Sequence, residues 1–182
     1  MIVGSIARRY AKALLAIGID NKQFERFGKE LDQFASVLND SQELQDVLAN
    51  PSQPLSTRRG IVEAIIKRMR PSPTMQSFLL LLMDRERMSY IPSIAREFQT
   101  MADRHAGRVR TRISSAFQLD LATVTRLKKA LEEKTGKQVI LEQSVDPDLI
   151  GGVVAQVGSY VYDGSIKTTL SQMRQSLLEG KI

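Results

Sequence analysis

The sequence predicts an α+β protein, an N-terminal six-helix bundle over residues 1–105 followed by a small β-α-β-β-α domain over residues 106–182. Two observations carry this reading. From Ile2 to His105 the apolar residues recur every three or four positions, the period of helices with one buried face. After Ala106-Gly107 the period drops to two: Val109, Thr111 and Ile113 alternate with Arg108, Arg110 and Arg112, as in a strand with one apolar and one basic face. At 182 residues, 42% of them hydrophobic, the chain can bury a core in each half.

Each element follows from its own pattern. The first helix places Ile6, Tyr10, Leu14 and Ile17 on one stripe, with Arg8, Arg9 and Lys12 opposite. Ala7, Ala11, Ala13 and Ala16 keep it thin, so a neighbouring helix can approach closely. In the second, Phe24, Phe27, Leu31, Phe34 and Leu38 step by three and four, with Asp20 as the expected N-cap. A short third helix around Leu44, Val47 and Leu48 stops at Asn50-Pro51, where proline cannot continue it. Ile61, Val62, Ile65, Ile66 and Met69 form the apolar face of the fourth. Ser72-Pro73 is an N-cap followed by a first-turn proline, and Met75 to Met83 behind it is apolar nearly all round. The sixth helix follows Tyr90-Ile91-Pro92 and carries Ile94, Phe98 and Met101. In the second half, Asp120 caps a helix bearing Leu121, Val124, Leu127 and Leu131 that ends at Gly136. Val139–Val145 and Val153–Val157 are strands, Asp146-Pro147-Asp148 is turn chemistry, and Asp163-Gly164-Ser165 turns into a last helix with Ile166, Leu170, Met173 and Leu177 on one side.

Composition narrows the chemistry. Lys and Arg number 26 against 20 Asp and Glu, and the net charge of +6 favours acidic partners without choosing among them. With no cysteine, disulfides, thiolate metal sites and cysteine nucleophiles are excluded. The longest unbroken apolar run, Phe78 to Met83, is far short of the roughly 20 residues of a membrane helix. His105, the sole histidine, has no second ligand or base placed to help it and reads as structural. Gly151-Gly152 and Gly158 lack the Lys-Ser/Thr ending of a phosphate loop and read as a tight turn into a strand. Asp146 and Asp148 are explained by their turn. Nothing here points to an enzyme, a cofactor or a metal. Arg104, Arg108, Arg110 and Arg112 are the best signal for nucleic acid, but the strand lacks the aromatic platforms of an RNA-binding sheet.

The apolar surplus of the first and fifth helices has two readings. Either one of them is the central core helix of the bundle, or a groove between them accepts an amphipathic helix from another protein.

Along its whole length the chain resembles the ATP synthase delta subunits and their mitochondrial relative, the oligomycin-sensitivity-conferring protein. Ala7, Tyr10, Ala11, Ala13 and Leu14 match the family's opening Y-A-x-A-L pattern. Phe78-Leu79, Leu81-Leu82 and Arg87 match its F-L-x-L-L stretch and following arginine. Ser115-Ala116 and Leu119 match the junction after the first strand, with Phe117-Gln118 in place of a proline-containing step. Asp146, Leu149, Ile150, Gly151, Gly152, Gly158, Asp163 and Ser165 lie close to the signature D-P-x-L-I-G-G…G…D-x-S.

The resemblance implies a non-catalytic stator adaptor. Its bundle would grip the N-terminal helices of the alpha subunits through Ala7, Tyr10, Ala11, Leu14, Phe78, Leu79 and Leu82. Its second domain would meet the b-type subunits of the peripheral stalk. One copy per complex is expected, coupling proton transport to ATP synthesis, peripheral to the cytoplasmic face of a bacterial inner membrane and touching the membrane only through the complex. On this reading Leu14→Asp or Phe78→Asp weakens head binding and spares the fold. The rival readings are a basic nucleic-acid-binding protein of two small domains, with salt-sensitive affinity, and a small enzyme, for which the sequence offers no acid or base.

Overall fold

The computed structural model describes residues 2–50, 52–158 and 160–178. Contacts divide the chain into two compact units, Met1–Ala102 and Asp103–Ile182. Pro51, expected to stop the third helix, lies outside the described residues.

The first unit is built from α1 (Ile2–Asp20), α2 (Phe24–Asn39), α3 (Gln42–Ala49), α4 (Leu55–Met69), α5 (Pro73–Asp84), a single 3-10 turn (Met88–Tyr90) and α6 (Ile91–His105). In α2 the residues Phe27, Leu31, Phe34 and Leu38 are all buried, as their spacing requires of an inward face. They share one core with Leu14 of α1, Val62 and Ile66 of α4, Phe78, Leu79 and Leu82 of α5, and Ile94 and Phe98 of α6. Burying each such side chain is worth roughly 1.5–3 kcal/mol, which offsets the ordering of a short chain.

Asp20 is not the cap of α2. It is the last residue of α1, and α2 starts after Gln23, which makes no side-chain cap bond. The reason is the way α1 ends. Lys22 turns left-handed at φ +55°, its N–H reaches the Ile19 carbonyl at 3.0 Å, and the Gln23 N–H reaches that of Gly18 at 2.8 Å. This paired closure satisfies the last carbonyls of α1. Gly18 is needed beside it, because a Cβ there would sit 2.9 Å from the Phe24 Cα.

The start of α5 follows expectation and gains a partner. The Ser72 hydroxyl accepts from the Met75 N–H at 3.4 Å, while Pro73 occupies the first turn. Ser72 also donates from its N–H (2.9 Å) and its Oγ (2.6 Å) to the carboxylate of Glu30 on α2, which Arg26 supports at 2.8 Å. Glu30→Ala would leave both Ser72 donors without an acceptor in a largely buried place. We expect it to destabilise the unit by about 1–3 kcal/mol in urea denaturation.

The second unit contains β1 (Arg108–Ser115), α7 (Leu121–Thr135), β2 (Gln138–Val145), β3 (Gly152–Val157), β4 (Tyr160–Ser165) and α8 (Ile166–Leu178). The sheet order is β2-β1-β3-β4. β1 runs parallel to β2 across the α7 crossover, while β3 is antiparallel to both β1 and β4. The predicted β-α-β-β-α order is therefore corrected to β-α-β-β-β-α. Tyr160-Val161-Tyr162 pairs with β3 as an edge strand, so Asp163-Gly164-Ser165 is the end of a strand and not a free turn. The core here is Ile113, Leu131, Val139, Ala155 and Val157, with Val109 and Leu127 packed against it. Asp120 caps α7 by accepting from the Thr123 N–H at 3.3 Å, and Gly136 closes it at φ +64°. Leu121, expected on the apolar face of α7, is exposed.

Candidate functional site

In the first unit, α1 and α5 meet through Tyr10. Its ring lies edge-on to Phe78, with centroids 6.2 Å apart and planes at 69°. The Tyr10 hydroxyl accepts from Arg87 Nη1 at 2.8 Å, and the Arg87 guanidinium carbon stands 5.3 Å from the ring centroid.

The structure brings the seven expected groove residues into one cluster but leaves most of them closed. Ala7, Ala11, Leu14, Phe78, Leu79 and Leu82 are each at most 8% exposed, and only Tyr10 is half-open. The expectation of surplus apolar surface at those six is corrected: the bundle uses them for its own core. With only alanine at positions 7 and 11, the inward face of α1 lacks bulk, and large side chains from elsewhere in the cluster fill the space. Leu14→Asp and Phe78→Asp would therefore strike the fold, contrary to expectation.

What stays open lies one step further round the same helices. Ile6, Tyr10, Ala13 and Ile17 step by four, three and four along α1; the first two are half-buried and the last two exposed, Ile17 at 43%. On α5, Leu81 lies one turn on from Phe78 and is 45% exposed. Arg9 and Lys12, away from the stripe on α1, are exposed.

In the second unit the exposed apolar surface is larger. Ile166, Leu170, Met173 and Leu177 run at helical spacing along α8 and are 47–68% exposed. Tyr160 and Val161 of β4, and Ile150 before β3, are open as well. Contiguous wet apolar area of this kind marks an interaction surface.

The signature residues build the base of this face. The Asp146 carboxylate accepts from the Asp148 N–H at 3.1 Å, and the Asp146 carbonyl accepts from the Leu149 N–H at 3.1 Å, closing the turn after β2. Gly151 accepts the Ile166 N–H at 3.0 Å; a Cβ on Gly151 would sit 2.6 Å from Ile166 Cδ1. Gly152 has φ +86°, and its Cβ would fall 2.2 Å from the Gly164 carbonyl oxygen. Only glycine fits there. Gly158, at φ +59°, opens the β3–β4 connection.

Asp163 and Ser165 cap α8. Asp163 accepts from the Ser165 N–H and from the Thr168 hydroxyl, both at 2.8 Å, while Ser165 Oγ accepts from the Thr168 N–H at 3.2 Å. The Ser165 N–H first, then the Ser165 and Thr168 hydroxyls, hold the Asp163 carboxyl below its ordinary pKa. A lowered folded pKa gives stability that is present above the ordinary carboxylate range, near pH 4, and lost as pH falls below it. We therefore expect the thermal stability of the second unit, followed by circular dichroism, to decline from pH 5 to pH 2. Asp163→Asn should flatten that slope.

Among the described residues no group of three or more His, Asp or Glu side chains could hold a metal ion. The basic strand is largely answered from within: Arg110 pairs with Asp103 at 2.6 Å and Glu142 at 3.1 Å, and Arg112 approaches Glu142 at 4.0 Å. No described helix is long and apolar enough to cross a membrane.

The family model for the ATP synthase delta (OSCP) subunit matches residues 6–177. The chain belongs to that family. "ATP synthase subunit delta" of Geobacter metallireducens is 40% identical over 180 residues, covering 99% of this chain and all of that protein. The same-named subunit of Anaeromyxobacter dehalogenans is 39% identical, covering 97% and 99%. Among solved structures, a chain of the Toxoplasma gondii mitochondrial ATP synthase hexamer shares the fold, with a TM-score of 0.73 at 20% identity over 94% of this chain and 97% of that one.

Sequence reasoning missed two parts of this surface, β4 and the open apolar stripe of α8. The signal for β4 was present in Tyr160-Val161-Tyr162, a β-prone run just after Gly158. Exposure of α8 left no such trace, since its stripe reads equally as core.

Proposed function

We propose that the chain is a non-catalytic stator adaptor of an F-type ATP synthase, holding the alpha-subunit N-terminal helices on its first unit and the b-type peripheral stalk on its second. The carrying observation is that each unit presents an amphipathic helix stripe that its own core leaves wholly or partly open: half-buried Ile6 and Tyr10 with exposed Ala13, Ile17 and Leu81, and exposed Ile166, Leu170, Met173 and Leu177. Membership of the delta (OSCP) family supports seeking both partners among the subunits of an ATP synthase.

The adaptor works by attachment. An amphipathic tail helix laid on the α1/α5 face covers Ile17 and Leu81 and inserts beside Tyr10, which offsets the ordering of a flexible segment. A stalk helix laid along α8 removes a second stripe from water. Two attachments on one chain raise the effective concentration of each partner for the other, so a momentary release on one side is quickly reversed. The head is thereby kept from turning with the central shaft, and proton flow drives synthesis. One copy serves each complex, on the cytoplasmic face of the bacterial inner membrane, reached through the complex; the bacterial relatives support this placement.

Ile17→Asp with Leu81→Asp tests the first face. Both positions are open, so melting should be nearly unchanged while calorimetry with an alpha N-terminal peptide shows affinity falling at least about 10-fold. Wild-type affinity in the double variant would count against the assigned face.

A further inference from the structure

Among the described residues no carboxylate pairs with the guanidinium of Arg87; its side chain meets Tyr10 instead. Arg87 follows α5 in a closure that fixes its position: Glu86 is left-handed at φ +55° and bonds the Met83 carbonyl at 2.9 Å, and the Arg87 N–H bonds the Leu82 carbonyl at 2.8 Å. The neighbouring carboxylates are already taken. Asp84 accepts from Arg59 at 2.8 Å, and Glu86 accepts from Arg58 at 2.8 Å. The Arg87 side chain meets the Tyr10 hydroxyl at 2.8 Å and the Tyr10 ring at 5.3 Å. A phenol and a ring face orient a guanidinium without neutralising it, and they engage only part of its five-donor fork.

This half-buried cation is anchored on Tyr10 of the α1/α5 face, whose helices also carry the exposed Ile17 and Leu81. A bidentate guanidinium–carboxylate pair is the strongest complement such a group can find, and partial burial reduces its screening. We propose that Arg87 is the specificity-determining residue of this face: it selects a docking helix that carries a carboxylate beside its apolar stripe, and Tyr10 holds the guanidinium ready to receive it. The inference rests on the docking function proposed above. It adds the chemistry of the occupant, an acidic amphipathic helix and not an apolar helix in general. Tyr10 acts as the positioning residue, through its hydroxyl and its ring.

The test is a double-mutant cycle by calorimetry on the full chain. The probes are a synthetic peptide of the alpha subunit's first ~20 residues, a helix of about 30 Å, and versions in which each Asp or Glu in turn is replaced by its amide. Arg87→Met should weaken the parent peptide about 10- to 100-fold and lessen the salt dependence. For one amide peptide the wild-type chain should show the same loss, and Arg87→Met should then add almost nothing. Arg87→Lys, which keeps the charge without the planar fork, should fall between.

Tyr10→Phe guards against misfolding as the cause, since it removes the hydroxyl anchor with the ring in place; it should weaken the parent peptide by several-fold at unchanged melting. If Arg87→Met weakens every peptide equally, or none, Arg87 is structural and the inference fails while the docking function stands. If the parent peptide does not bind the wild-type chain, both fail together.

Discussion

Leu14→Asp should destabilise the first unit by more than about 4 kcal/mol and leave it largely unfolded at 37 °C. Leu14 is 1% exposed and shares its cluster with Phe27, Leu31, Phe78, Leu79 and Leu82. The substitution removes apolar contacts and places a carboxylate in that apolar cluster. Circular dichroism in urea is the direct readout. A variant that melts like the wild type would mean that Leu14 faces solvent and that the closed bundle is wrong. Ile17, three residues on and 43% exposed, is the internal control. The same aspartate there should cost under about 1 kcal/mol, because the charge stays hydrated.

Leu170→Asp together with Met173→Asp should reduce binding of a soluble stalk fragment by about 100-fold or more, with helix content preserved. Both side chains lie on the open stripe of α8, more than half exposed in the unbound chain. Two apolar anchors lost and two charges introduced at the centre of an interface act together on the dissociation rate. The α8 cap formed by Asp163, Ser165 and Thr168 is untouched, so the helix itself should survive. Stalk binding at wild-type strength would remove α8 from the interface. A collapse of the circular dichroism signal would show that α8 is core after all.

Much of this fold is legible from local rules. The steps from Phe27 to Leu38, the Ser72-Pro73 start of α5, the Asp120 cap and the Gly136 closure all work through residues within one turn of each other, and each appears where its pattern places it. The misreadings have two separate causes. Asp20 is a plausible cap by residue type, but the left-handed closure at Lys22 decides where α1 ends. Tyr160-Val161-Tyr162 becomes a strand because β3 is there to pair with it. The pairing is not local; the closure is local, but a lysine in place of glycine at the left-handed position does not announce it.

The candidate site divides the same way. Signature residues such as Gly152, whose φ of +86° and contact with the Gly164 carbonyl admit no side chain, could be read as turn-forming from the sequence. Which apolar residues face out could not. Leu14 and Ile17 lie on one apparent stripe, yet one is buried and the other open. The difference is a rotation of some 60° about the helix axis, set by which neighbours pack against α1. Leu81 and Leu82 separate in the same manner on α5.

The central claim is that one chain holds two different helical partners at once, each through its own open apolar stripe. Native mass spectrometry of the full chain mixed with an alpha N-terminal peptide and a soluble stalk fragment tests it most directly. The account predicts a ternary species containing one copy of the chain and both partners. Mutually exclusive binding, or capture of both partners by a single unit with the other idle, would contradict it.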